Sequence, residues 1–272
     1  DGILDVFDTH IENDEDGDGV PTPDDDFPDN PARTKACDAG YYGRYTCYEA
    51  DPGHYAMYAG WLNQVRCSTG EYQPNSGASA CLDADAGHYV DVRASTTQSQ
   101  CDLGTYQTLT GQSSCDDADA GHYVDTLAST NQTECLLGSY QPLSGQVTCL
   151  DADPGHYVAT NGSVTQSACL AGFYNPDTGS NNSSACLGAT LGHYVSSPGS
   201  DEQTEASQGH YVDTVESVTE TPCSPGTYNE NTASTNWSAC LDADLGYYVA
   251  SSGSSAQTPA SQGHYVDTTG AT

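Results

Sequence analysis

The chain has 272 residues, a formal net charge of −33 and so few Leu, Ile, Val and Phe that they supply about one residue in eight. This composition excludes a domain built on one large core, and by itself would indicate disorder. With only five basic residues, it also excludes nucleic acid and anionic membrane as partners, because both need clustered Lys or Arg. Twelve cysteines argue for order instead. Regular cysteines in a core-poor chain act as covalent staples, which persist in an oxidising compartment, so the predicted location is extracellular or at the cell surface. Neither a signal peptide nor a membrane span is visible, and direct membrane insertion is not expected. The basic residues (Arg33, Lys35, Arg44, Arg66 and Arg93) all precede position 94, so cations are the natural counter-charge for the rest.

Residues 1–31 form an acidic head. Asp14, Asp16 and Asp18 alternate before Gly19, as at positions 1, 3, 5 and 6 of a calcium loop. The Val20 carbonyl would serve position 7, Thr22 or a water position 9, and Asp25 position 12. Alternate aspartates place hard oxygens on one side of a tight turn, which suits the six to eight ligands of Ca2+. Pro21, Pro23, Pro28 and Pro31 exclude the helix that an EF-hand would need next. The spacing, with Phe27-Pro28 closing it, resembles the thrombospondin type 3 repeat, a family that wraps calcium with almost no apolar core. That resemblance implies a preceding partial copy in which Asp1, Asp5 and Asp8 are ligands; Thr22 departs from the usual Asp. A solvated acidic linker is the plainer alternative. Residues 32–36 are a linker.

From residue 37 to 272 the chain repeats a module built on Gly-x-Tyr. The glycines run Gly40, Gly53, Gly70, Gly87, Gly104, Gly121, Gly138, Gly155, Gly172, Gly192, Gly209, Gly226, Gly246 and Gly263, in steps of 17 residues except for a first step of 13 and two of 20. A fixed short period predicts a stacked array of supersecondary units. Stretches such as Gly121-His122-Tyr123-Val124 are strand-like and Asp, Asn, Ser and Gly fill the intervals, so the predicted fold is small, disulfide-rich and mainly β or irregular. It is expected to be an elongated linear array of hairpins of about 17 residues, paired into a 34-residue repeat. The glycine supplies a positive φ or a close approach, and the tyrosine covers the neighbouring module. No stretch has helical apolar periodicity. The unfinished module at Gly263 suggests that the array continues beyond the chain end.

Two positions vary systematically. Six residues before the glycine stands Cys or Gln, with Glu220 an exception within the array, and three before it Cys or Ala. Pairing each −3 cysteine with the next −6 cysteine gives Cys37–Cys47, Cys67–Cys81, Cys101–Cys115, Cys135–Cys149, Cys169–Cys186 and Cys223–Cys240. The competing map, beginning Cys47–Cys67, strands four cysteines, because Ala206 and Ala260 stand where partners would be. Parity favours the first. A 14-residue loop closed this way contributes about 3 kcal/mol in the chain-entropy description. The modules at Gly209 and Gly263 carry neither cysteine and are the predicted places to bend or to receive a neighbouring chain.

The run Cys-x-x-Gly-x-Tyr followed by Gly, Ser or Thr and Cys resembles the ephrin-receptor-like cysteine-rich repeat of extracellular stalks and flagellar hairs. The likeness covers residues 37–272, but one cysteine of the family's usual Cys-x-x-Cys is missing from each module, so family connectivity does not transfer.

Seven histidines fall in this register: His54, His88, His122, His156, His193, His210 and His264. An imidazole ladder can bind zinc or sense pH, yet Tyr247 replaces one without disturbing its module, which favours packing. Four Asp-x-Asp pairs (Asp83 and Asp85, Asp117 and Asp119, Asp151 and Asp153, Asp242 and Asp244) read either as calcium ligands or as turn formers. Asn131, Asn161, Asn181, Asn182 and Asn236 begin glycosylation sequons, against chance occurrence in a Ser/Thr-rich chain. No Ser/His/Asp set stands apart from the repeat, so an enzyme is not expected. The predicted function is a structural subunit or segment of an extracellular filament or cell-surface fibre, stiffened by disulfides and Ca2+, self-associating and open to a glycan coat. The alternative is a calcium-dependent adhesin or receptor ectodomain in which the array is a spacer stalk.

Overall fold

The computed structural model describes residues 36–272 apart from Tyr45. The acidic head therefore lies outside the described residues, with its expected calcium ligands Asp1, Asp5, Asp8, Asp14, Asp16, Asp18, Val20, Thr22 and Asp25, and so does its boundary with the linker.

Each module starts from a β-turn that its glycine makes possible. At Gly87 the His88 amide donates to the Asp85 carbonyl (2.9 Å), with Gly87 third in the turn at φ +79°. That angle belongs to a left-handed region that costs an L-residue about 1–2 kcal/mol. The chain then runs extended through His88–Tyr89, loops, and returns as Ser99–Gln100, with His88 opposite Gln100 and Tyr89 opposite Ser99. Thirteen such two-stranded antiparallel hairpins follow one another in sequence order among the described residues, with six disulfides closing alternate ones over most of the array. The fold is a small, disulfide-rich, mainly β repeat array.

The hairpins divide between two compact units. One holds the described residues up to Ala118 plus Val124–Gln132; the other holds Asp119–Tyr123 plus Thr133–Thr272. Within the first, the Gly70 amide donates to the Val90 carbonyl (2.7 Å), the Val90 amide to the Gln112 carbonyl (3.0 Å) and the Ala94 amide back to the Cys67 carbonyl (2.9 Å). In the second, Gly155 donates to Asn175 (2.7 Å), Val158 to Ser180 (2.9 Å) and Gly179 back to Ala152 (2.8 Å). Each of these hairpins is thus hydrogen-bonded to its neighbours along the chain, the nearest-neighbour economy of a repeat protein.

Two positions recur among the buried residues of the modules. The −3 residue is buried in both its forms, as at Cys67 and Ala84 (both 0 % exposed). The other buried position is the residue after the tyrosine, at +3: Val90, Val158, Val195, Val212 and Val249 are each 2 % exposed. Tyr228 shares a buried cluster with Ala243 and Val249 of the following module. Most repeat tyrosines are half-buried, because the strand turns its next side chain inward; Tyr228 is the buried exception. A buried Val contributes about 1.5–3 kcal/mol and a 14-residue disulfide about 3 kcal/mol. A bridged hairpin therefore gains from its staple as much as, or more than, an unbridged one gains from burying its Val.

After the first, which has Gly43 there, the disulfide-closed hairpins carry Gln or Asn at +3, and a buried amide must be satisfied. Gln107 Nε2 donates to the Ser114 carbonyl (3.0 Å) while its Oε1 accepts from the Leu109 amide (3.0 Å), tying the two ends of its own loop. Gln73, Gln107 and Gln141 serve loops whose cysteines are 14 apart; Asn175 and Asn229 serve the two in which they are 17 apart. Those longer loops also hold 3-10 turns, Ser183–Ala185 and Trp237–Ala239, which the sequence pattern does not suggest. At the start of the array Tyr58 and Trp61 stack edge-on (5.9 Å between rings), and Tyr55 lies 6.1 Å from Trp61.

Candidate functional sites

The hairpins are closed in two ways. Cysteines bridge Cys37–Cys47, Cys67–Cys81, Cys101–Cys115, Cys135–Cys149, Cys169–Cys186 and Cys223–Cys240, and no free cysteine remains among the described residues. Intervening hairpins use a polar clamp in the same place. Gln98 stands at the −6 position that holds cysteine in the neighbouring module. Its Nε2 donates to Asp85 Oδ2 (2.6 Å) and its Oε1 accepts from the Asp85 amide (2.7 Å). The same two-point contact joins Asp51 to Gln64, Asp153 to Gln166 and Asp244 to Gln257. Thr190 and Gln203 form a reduced version, with the Thr190 amide donating to Gln203 Oε1 (2.9 Å).

The clamps account for half of the Asp-x-Asp pattern. Asp85, Asp153 and Asp244, the second members of their pairs, spend a carboxylate oxygen and their backbone amide on the clamp glutamine. The first members Asp83, Asp151 and Asp242 lie against the backbone of Gly111, Gly179 and Gly270. Among the described residues no three His, Cys, Asp or Glu side chains gather as a metal cluster.

The Gly209 hairpin, read from its sequence as unstapled, is closed by Glu220. The Ser207 amide donates to Glu220 Oε2 (2.7 Å) and the Ser207 hydroxyl to Oε1 (2.8 Å), while His210 Nδ1 lies 3.1 Å from that hydroxyl and 3.7 Å from Oε1. These are the residue types of a nucleophilic triad in the wrong geometry. A relay needs the imidazole between hydroxyl and carboxylate, with a different ring nitrogen facing each. Here one nitrogen, Nδ1, faces both, and it also lies 3.1 Å from the Gln208 carbonyl. The cluster closes a hairpin.

The other repeat histidines follow the same local rule. Nδ1 of His54, His88, His122 and His156 approaches the carbonyl two residues back, at 3.1–3.4 Å. The His156 and His210 rings lie over the backbone of Gly199 and Gly253. Each imidazole packs locally, and His264 alone in this set is exposed.

All five sequon asparagines are exposed. A pocket of about 170 Å3 lies in the second unit, lined by Tyr157, Leu170, Phe173, Ser183 and the Cys169–Cys186 bridge. It is mainly apolar and holds no acid–base pair. No helix among the described residues is long and apolar enough to cross a membrane.

The clamps and the +3 amides escape a reading of the sequence alone, although a signal for the clamps exists: Asp and Gln recur 13 residues apart in hairpins that lack the −3 and −6 cysteines. Neither the protein-family models nor the curated proteins give a match to this chain.

Proposed function

We propose that the chain is a structural segment of an extracellular filament or cell-surface fibre, without catalytic activity of its own. The observation that carries this reading is how the polar and sulfur-bearing side chains are used. Cysteines and the buried +3 amides close one hairpin type and the clamp Asp–Gln pairs the other, while the histidines contact the carbonyl two residues back, and these uses recur along the array. A repeat whose functional groups are spent on closure supplies mechanical continuity, and bridges of this density belong to an oxidising compartment.

Ca2+ bound by the thrombospondin type 3-like head, through Asp14, Asp16, Asp18, Val20, Thr22 and Asp25, would neutralise part of the −33 charge and let copies associate. The resemblance to ephrin-receptor-like repeats agrees with a stalk or fibre role. Electron microscopy of native material with and without EDTA tests the reading. Regular filaments that loosen on chelation are expected; single particles ending in a globular domain would favour a spacer stalk and overturn it.

A further inference from the structure

The five sequons are not equivalent once folded. In the Gly70, Gly104 and Gly138 hairpins the bridged cysteines are 14 residues apart; in the Gly172 and Gly226 hairpins they are 17 apart. In both longer loops the added length carries Asn-x-Ser in the same register, as Asn182-Ser183-Ser184 and Asn236-Trp237-Ser238. Asparagine, middle residue and serine are exposed in both, and Trp237 is 72 % exposed. The serine hydroxyl sits on the amide it would accompany: Ser184 Oγ donates to Asn182 Oδ1, and Ser238 Oγ to Asn236 Oδ1.

The other sequons lack this presentation. Thr133, the hydroxyl residue for Asn131, is fixed in a strand opposite Tyr123. Ser163, which serves Asn161, is half-buried; its hydroxyl donates to the Thr160 carbonyl (2.8 Å) and its carbonyl accepts from the Gln141 amide (3.0 Å). Asn161 itself accepts from the Leu137 amide, 24 residues earlier (3.1 Å). Asn181 turns its Oδ1 to Asn182 Nδ2 (2.6 Å) rather than to a hydroxyl.

We propose that Asn182 and Asn236 are the N-glycosylated residues of this protein and that Asn131, Asn161 and Asn181 are left bare. A transferase must engage the asparagine and the hydroxyl two residues on together, and only these two sequons pair those groups, each on a short exposed 3-10 turn rather than in a hairpin strand. The donor is an oligosaccharide on a polyprenyl phosphate or pyrophosphate. The Nδ2–C1 bond forms as the C1–O bond to phosphate breaks; the amide proton leaves, and the lipid departs with the phosphate. The inference rests on the extracellular reading.

The test is glycopeptide mass spectrometry on the native protein, digested with an Asp/Glu-selective protease because no Lys or Arg follows Arg93, with enzymatic release in 18O water to mark each site. Label at Asn182 and Asn236 alone is expected. Asn182→Gln with Asn236→Gln, expressed in the native host, should remove all N-linked glycan mass, whereas Asn161→Gln should remove none. Label at Asn131, Asn161 or Asn181, or none at Asn182 and Asn236, would overturn the proposal. Thiol alkylation of the same sample separates the causes. Blocked cysteines with bare asparagines refute the site assignment alone; free cysteines refute the extracellular reading beneath it.

Discussion

Gly155 and Gly246 have nearly the same backbone, at φ +80° and +83°, and differ in what stands over them. A Cβ on Gly155 would lie 2.1 Å from the Gly199 carbonyl oxygen and 2.4 Å from its carbon, whereas one on Gly246 meets nothing within 4 Å. Alanine at Gly246 should therefore cost only the left-handed conformation, about 1–2 kcal/mol. Alanine at Gly155 carries that cost and must also push a backbone carbonyl aside by about 1 Å to restore ordinary contact. The displaced segment holds Gly199 N–H on the Cys169 carbonyl (2.9 Å), beside the Gly155 N–H bond to Asn175 (2.7 Å). Losing or bending two such bonds adds about 1–3 kcal/mol, for a total of about 2–5 kcal/mol. Global melting is a poor reporter in a repeat array, where unfolding need not be two-state. Amide exchange read on peptides spanning 152–200 suits the question better. At Gly155→Ala those peptides should lose at least about fivefold more protection than the peptides around residue 246 lose in Gly246→Ala, since the added cost is about 1–3 kcal/mol and 1.4 kcal/mol corresponds to about a factor of ten. Equal losses would show that only φ matters and that the close approach carries no energy.

The two closures should differ in strength. Replacing Cys101 and Cys115 together by Ser should cost about 3 kcal/mol of local stability, against about 1 kcal/mol for Gln98→Ala, both read by exchange in the same unit; a larger loss from Gln98→Ala would reverse the ranking. Asn229 is fully buried and its Nδ2 bonds the His210 carbonyl and Ser234 Oγ, both at 2.9 Å. Asn229→Leu should therefore cost about 3 kcal/mol or more by stranding those partners, and a chemical-denaturation midpoint unchanged by it would sink this account. Ala94 holds a left-handed φ of +58° where most equivalent positions, such as Gly77, Gly111 and Gly162, carry Gly, so Ala94→Gly should be neutral to stabilising by about 1 kcal/mol. Clear destabilisation in exchange would contradict the strain. Burial lifts the Tyr228 phenol above its ordinary 10.0, with the Asp244 and Glu230 carboxylates adding to the shift. Because the fold favours the neutral phenol, the phenol's penalty is absent below about pH 10 and the fold loses stability as pH rises past that unfolded value, levelling off above the folded one. In a phenolate absorbance titration, the component lost in Tyr228→Phe should lie at the alkaline end; loss from the early part would refute the assignment.

Much of the fold is legible because its determinants are local and periodic. Gly-x-Tyr marks a turn entering a strand, and the −3 and −6 residues lie opposite each other across one hairpin, so counting cysteines already orders them. Two things stay hidden. A tyrosine outweighs its neighbours in any reading of apolar content, so attention falls on +2, whereas the strand buries +3, where Gln107 or Asn175 looks like a surface residue. The role of a polar side chain depends on partners that pattern alone does not locate. Gln98 reads as a missing cysteine until Asp85 is seen opposite it, and Glu220 reads as an anomaly until Ser207 and His210 surround it. The sequons are visible as strings, but which asparagine stands clear of the ladder depends on the lengthening of two loops.

Every bridge joins a cysteine to the next cysteine along the chain, across 10, 14 or 17 residues. A polypeptide emerging N-terminus first can therefore complete each bond before the following pair appears, so oxidation needs neither a long-range search nor reshuffling of earlier pairs. The number of possible pairings among twelve cysteines is large, yet at any moment during emergence the next thiol has one partner to meet. Biogenesis becomes a series of short, independent steps, and the array can be lengthened by duplication without making correct oxidation harder.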